Sequence, residues 1–163
     1  MNRKIDIAIY AVLILAIIIT LGFIFGNSLK GPTESGAQSD AVVEMVKPII
    51  DPDDHMSKDD ISHLVRKSAH FIEYFILGIE CALLAYYAKR KFTIPFAIYG
   101  AAFCLLVADI DEYIQSFTDR GSSVSDVLLD LCGSVVGIAI GFALSYLIHA
   151  LVKKAKKAKK ENE

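Results

Sequence analysis

The sequence predicts an all-α, polytopic membrane protein, a four-transmembrane-helix bundle with one or two short amphipathic helices in the first outer loop. Three observations carry that prediction. Apolar residues make up 54% of the 163, above the usual range for a soluble domain. They are sorted into blocks close to the ~20 residues that cross a bilayer core at ~1.5 Å rise each. Lys and Arg gather on one side of the topology those blocks imply. The overall charge, 17 Lys and Arg against 19 Asp and Glu, hides this segregation. Disorder and a small disulfide scaffold are excluded by the composition, and the whole chain, 1–163, reads as one membrane domain.

The first span, about 6–25, contains an uncharged run of 19 residues from 7 to 25. Arg3 and Lys4 give it the basic start of a secretory signal. Its apolar stretch exceeds the ~7–15 residues of such a signal, and no small-residue cleavage pattern follows directly, so it reads as an uncleaved anchor. The outer loop, 26–68, carries two amphipathic patterns. Val42, Met45, Val46 and Ile49 repeat at helical spacing until Pro48 disrupts the backbone, and Ile61, Leu64 and Val65 do so after Ser57, whose partner Asp60 completes a capping-box pattern. Two helices on the outer surface satisfy both patterns, as does one helix running straight into the second span.

The second span, about 69–88, is mostly apolar but holds His70, Glu73 and Glu80, which would be costly facing lipid and must face other helices. The third, about 92–112, begins with an uncharged run of 17 residues. The fourth, about 124–150, is broken only by Asp126, Asp130 and His149. Cys81, Cys104 and Cys132 fall in three different spans, and an odd count inside hydrocarbon suits small apolar fillers.

With the N-terminus inside, eleven Lys and Arg residues lie on the cytoplasmic side and six outside, where the first loop also carries eight carboxylates. Both termini are therefore expected in the cytoplasm. Tyr86, Tyr87 and Phe92 flank the tight inner turn at Lys89, Arg90 and Lys91. The Lys-rich tail, 153–163, is explained by anionic lipid headgroups at about 1 kcal/mol per Lys, and nucleic acid is not expected as a partner.

At 100° per residue, His70, Glu73 and Glu80 fall within about 80° of one another, together with Arg66 and Leu77. Asp126, Asp130, Gly133, Gly137 and Gly141 share a similar arc. The three glycines form a doubled small-xxx-small pattern that lets two helix backbones approach closely in lipid. The third span ends with Asp111, Glu112 and Gln115 within one turn. Topology brings these helix ends, with the loop residue Arg120, to one layer near the outer interface. Glu80 sits ~10 Å deeper than Glu73 and needs either a proton or a partner.

The stretches Arg66-Lys67-Ser68-Ala69-His70-Phe71-Ile72-Glu73-Tyr74 and Asp111-Glu112-Tyr113-Ile114-Gln115-Ser116-Phe117-Thr118-Asp119-Arg120 precede Ser125-Asp126-Val127 and Gly133-x-x-x-Gly137. In this order they closely resemble the VanZ-like membrane proteins, over roughly residues 66–141. Two departures stand out. Thr118-Asp119 replaces the Pro-Gly of many relatives, and Asp130 replaces an Asn, adding a negative charge that favours a cation. The resemblance implies a cell-envelope protein of the bacterial cytoplasmic membrane, of a family whose namesake is linked to low-level resistance to the glycopeptide antibiotic teicoplanin. It does not supply a reaction.

Three readings of the polar set stay open. In the first, His70, Glu73, Asp126 and Arg120 only fix helix packing. In the second, Arg66, Lys67 and Arg120 hold the phosphate of a lipid-linked cell-wall precursor, while Glu73, Asp111, Glu112 and Asp126 hold Mg²⁺ or Ca²⁺ or act with His70 as acid and base. That site, with Gln115, would serve a membrane-embedded hydrolase or transferase, or a binder. Ser68, Ser116, Ser122, Ser123 and Ser125 lie nearby without the spacing of a nucleophile. In the third, Glu80 starts a proton or cation path, which in so small a chain requires a homo-oligomer.

Overall fold

The computed structural model describes residues 3–89, 93–118 and 123–161. Arg120, Ser122 and the turn at 90–92 lie outside the described residues, as do the side chains beyond Ala155. Five helices follow one another: α1 Arg3–Ser28, α2 Pro32–Ile50, α3 Lys58–Lys89, α4 Ile94–Gln115 and α5 Val124–Glu161. Four contain segments long and apolar enough to cross a membrane: Asp6–Ser28, Lys58–Ala88, Ile94–Gln115 and Val124–Ala155. A helix satisfies its own N–H and C=O groups within one segment, so runs rich in Ile and Val, strand formers in water, are helical in lipid.

The first loop holds one separate helix, α2. Pro32 opens it in the first turn, where its missing N–H removes no helical bond. Pro48 stands in its last turn, and the helix ends two residues later. The second amphipathic stretch is the start of α3 itself. Ser57 and Asp60 cap it reciprocally: the Asp60 N–H donates to Ser57 Oγ at 3.1 Å, and the Ser57 hydroxyl donates to Asp60 Oδ2 at 2.7 Å.

Between α2 and α3 the linker is organised by Asp51, whose carboxylate accepts the N–H groups of Met56 at 2.7 Å and His55 at 2.9 Å. Those two bonds hold its carboxyl below the ordinary value of 3.8. Lys47 pairs with Asp54 at 2.5 Å, which raises its ammonium above the ordinary 10.5. Asp54 itself sits at φ 56, in the left-handed region that Asp tolerates better than most residues.

The most intimate contact in the bundle joins α3 to α5. A Cβ added at Gly133 would meet the Phe71 carbonyl oxygen at 2.6 Å, and one at Gly141 the Ala82 Cβ at 2.8 Å. At Gly137 it would collide with the Phe75 carbonyl oxygen, and at Gly78, from the α3 side, with that of Ser134. The glycine face of α5 is thus pressed against the α3 backbone, and Gly78 answers it. Beside this seam, Ile24 of α1, Tyr74 and Leu77 of α3, and Cys104, Val107 and Ala108 of α4 form a buried core. A smaller cluster of Ala82, Ile138 and Phe142 lies toward the α3–α4 turn.

α1 is peripheral. Ile7, Val12, Leu15, Ile18, Ile19 and Phe23 are each more than half exposed, an apolar surface suited to lipid contact. The cysteines are free: Cys104 is buried, Cys81 packs on the same core and Cys132 faces outward.

Candidate functional site

The end of α1, the first half of α3, the end of α4 and the start of α5 converge at one end of the bundle. α4 delivers Asp111, Glu112 and Gln115, all buried. Asp111 is fully enclosed and is held from two sides, by the Ser28 hydroxyl of α1 and by Gln115 Nε2 at 3.0 Å, one turn along its own helix. Glu112 Oε2 turns away and accepts the Ser123 N–H at 2.8 Å, just ahead of α5, a favourable place for a negative charge because the first N–H groups of a helix have no internal partners.

α3 contributes most of the remaining groups. Glu73 Oε1 accepts Asn27 Nδ2 at 2.9 Å, and Asn27 Oδ1 in turn accepts Lys30 Nζ at 2.7 Å. Lys67 pairs with Asp126 of α5 at 3.0 Å, both partners about one-third exposed. His70 projects inward: its Nδ1 lies 3.7 Å from Asp111 Oδ2 and 4.0 Å from Asp130 Oδ1. One donor atom from each of these three residues falls within 4.8 Å of the other two. Glu80, deeper in the bundle, finds its partner in α1, where the Thr20 hydroxyl donates to Oε1 at 3.0 Å.

The acids that helical arcs group together are therefore divided. Glu73 faces α1, Glu112 faces the α5 N-terminus and Asp126 faces Lys67. Asp130, one turn below Asp126, joins Asp111 at His70 instead. Thr20, Asn27, Ser28, Lys30 and Tyr74 belong to the site without having been singled out from the sequence as site residues. Thr20 and Asn27 are seven residues apart in an otherwise apolar run, so their shared face was a readable signal.

A cleft of about 650 Å³ opens between α1, α2 and α3. Its head end is polar, with Asn27, Lys30, Gln38, Arg66, His70 and Glu73, and its foot is apolar, with Ile19, Phe23, Ile72 and Ile76. Lys30 also reaches Gln38 of α2 at 3.2 Å. A smaller pocket of about 110 Å³ lies on the other side of α3, between Arg66, Lys67, His70, Gln115 and Asp126. Arg66 and His70 line both. The cleft offers two cations and several neutral donors to an anion, and a greasy trough beneath them.

A family model described as VanZ/LLP1 matches residues 9–148, a range that holds every site residue described above. No curated protein and no solved structure matches the chain.

Proposed function

The chain belongs to the VanZ/LLP1 family, and on that premise we propose that it binds a lipid-linked, phosphate-containing cell-wall precursor in the cleft between α1, α2 and α3. The observation that carries this reading is the two-part lining of that cleft. A polyprenyl or acyl chain would lie along Ile19, Phe23, Ile72 and Ile76, and its phosphate would meet Lys30 and Arg66. Arg suits a phosphate through its paired N–H donors, and Lys as a compact charge. Lys67, committed to Asp126, serves the site as a positioning residue rather than as a phosphate ligand.

The orientation that goes with this function places both termini in the cytoplasm of a bacterium and the cleft at the outer leaflet, as the excess of Lys and Arg on the terminal side supports. The Lys-rich tail then rests on anionic headgroups. Sequestering such a precursor would keep it from a glycopeptide drug, which connects the site to teicoplanin tolerance and gives the protein its role in the cell envelope.

The test is retention. Full-length protein in detergent is incubated with a polyprenyl pyrophosphate and examined by native mass spectrometry. A one-to-one complex is expected, and Lys30→Gln and Arg66→Gln should each weaken it by about ten- to a hundredfold, the cost of one charge-assisted bond of roughly 1.5–3 kcal/mol. Equal retention by wild type and by the double variant would sink the proposal.

A further inference from the structure

We propose that His70, Asp111 and Asp130 bind one divalent transition-metal ion of the zinc type, at the wall shared by the cleft and the smaller pocket. Three donors about 4 Å apart lie about 2.3 Å from their common centre, against the ~2.0–2.2 Å of Zn–N and Zn–O bonds. The separations of 3.7 and 4.0 Å from His70 Nδ1 to the two carboxylates are of that size, so a small side-chain rotation closes the site. Asp111 is already oriented by Ser28 and Gln115, as the outer partners of a metal ligand should do.

Two further groups point to a ligand. Asp130 is 1% exposed, and neither of its carboxylate oxygens receives a hydrogen bond. Removing a carboxylate from water without a donor is costly, and the nearby ammonium of Lys67 is taken by Asp126. Tyr74, one turn beyond His70, is fully buried, and its hydroxyl has no hydrogen-bond partner. A single dication supplies Asp130 with its missing partner, and an oxygen it carries would give the Tyr74 hydroxyl a group to bond.

The donor set decides the class of metal. One imidazole with two carboxylates suits zinc and its neighbours, whereas Mg²⁺ and Ca²⁺ take oxygen ligands throughout. Of the carboxylates anticipated for Mg²⁺ or Ca²⁺, Glu73, Asp111, Glu112 and Asp126, Asp111 is the one that belongs to this donor group. The inference stands apart from the lipid reading, since the ion needs no lipid to bind and is measured without one. An ion beside His70 would also add positive charge to the head of the cleft.

Full-length protein in detergent, stripped with a chelator, loaded with Zn²⁺ and desalted, should retain about one ion per chain by elemental mass spectrometry. Asp130→Asn and His70→Gln should each lower the affinity by at least about tenfold, while Asp109→Asn, an exposed carboxylate on α4, should load like the wild type. Gel filtration reports folding, and if Asp130→Asn aggregates, His70→Gln decides. Cobalt substitution provides a second readout, an absorption band that His70→Gln should alter. No retained zinc, equal affinity in the folded variants and wild type, or displacement of zinc by equimolar Mg²⁺ overturns the proposal.

Discussion

Substituting Gly137 by Ala tests the α3–α5 seam with a single methyl group. The new Cβ would collide with the Phe75 carbonyl oxygen and stand 3.1 Å from the Ile79 nitrogen. Both obstacles are backbone, so no side chain can rotate out of the way and the helices must separate. A separation of ~0.5–1 Å forfeits about a quarter to a half of each dispersion contact along the interface. Overpacking of this kind costs ~1–3 kcal/mol, and rigid obstacles place Gly137 at the upper end. Replacing a helical Gly by Ala returns ~0.5–1 kcal/mol of backbone entropy. The expected net loss is about 2 kcal/mol, up to a ~30-fold fall in the folded-to-unfolded ratio. The assay is unfolding in mixed detergent–dodecyl sulfate micelles, followed by circular dichroism and by tyrosine emission, since the chain has no Trp and 7 Tyr. The internal reference is Gly22→Ala in α1, where an added Cβ meets nothing within 4 Å and only the entropic gain should appear. If Gly137→Ala unfolds at the same dodecyl sulfate fraction as Gly22→Ala, the close-packed seam is refuted.

Thr20→Val removes the donor to Glu80 Oε1, and a double-mutant cycle with Glu80→Gln in the same unfolding assay should return a coupling of about 0.5–2 kcal/mol, the range for hydrogen bonds between membrane helices. A coupling of zero would mean that the two side chains do not communicate. At the α2–α3 linker, the Asp51 carboxyl is held below 3.8 in the folded chain. Its contribution is therefore complete above that value and is lost as the pH falls through the lower, folded one. Asp51→Asn should speed hydrogen exchange at the His55 and Met56 amides near neutral pH, and the difference from wild type should vanish only in acid well below 3.8, once the pH has passed the lowered folded value. A difference that persists there would show that the carboxylate charge is not what orders the linker.

The bundle was legible because its signals are long and redundant. Apolar runs located the spans, and the spacing of Gly133, Gly137 and Gly141 identified the face of α5 that meets α3. The α3 residue that answers that face was not legible: Gly78 is a single glycine with no pattern around it. For the polar site, the helical arcs placed the acids correctly along each helix and at one end of the bundle. They left undetermined how far each helix is turned about its own axis, and that rotation decides partners. Asp130 and Asp126 share an arc, yet one meets His70 and the other Lys67. Uncharged polar residues were the other loss: hydropathy averages over a strongly apolar stretch hide Thr20, Asn27 and Ser28, which supply hydrogen bonds to Glu80, Glu73 and Asp111, and only the seven-residue spacing of the first two marks them.

Among the described residues, side-chain bonds join α1 to α3 along its length, from Tyr87 to Asp6 near one end, from Thr20 to Glu80 midway and from Asn27 to Glu73 near the other. Lipid tails are as apolar as leucine, so the greasy surface of α1 supplies little force holding it against its neighbours. Its attachment combines these bonds with one buried anchor, Ile24, rather than a close backbone seam like that between α3 and α5. With Ile24 seated in the core and Ser28 on Asp111, these directional contacts fix both the height and the rotation of a helix that lipid alone would leave free to slide.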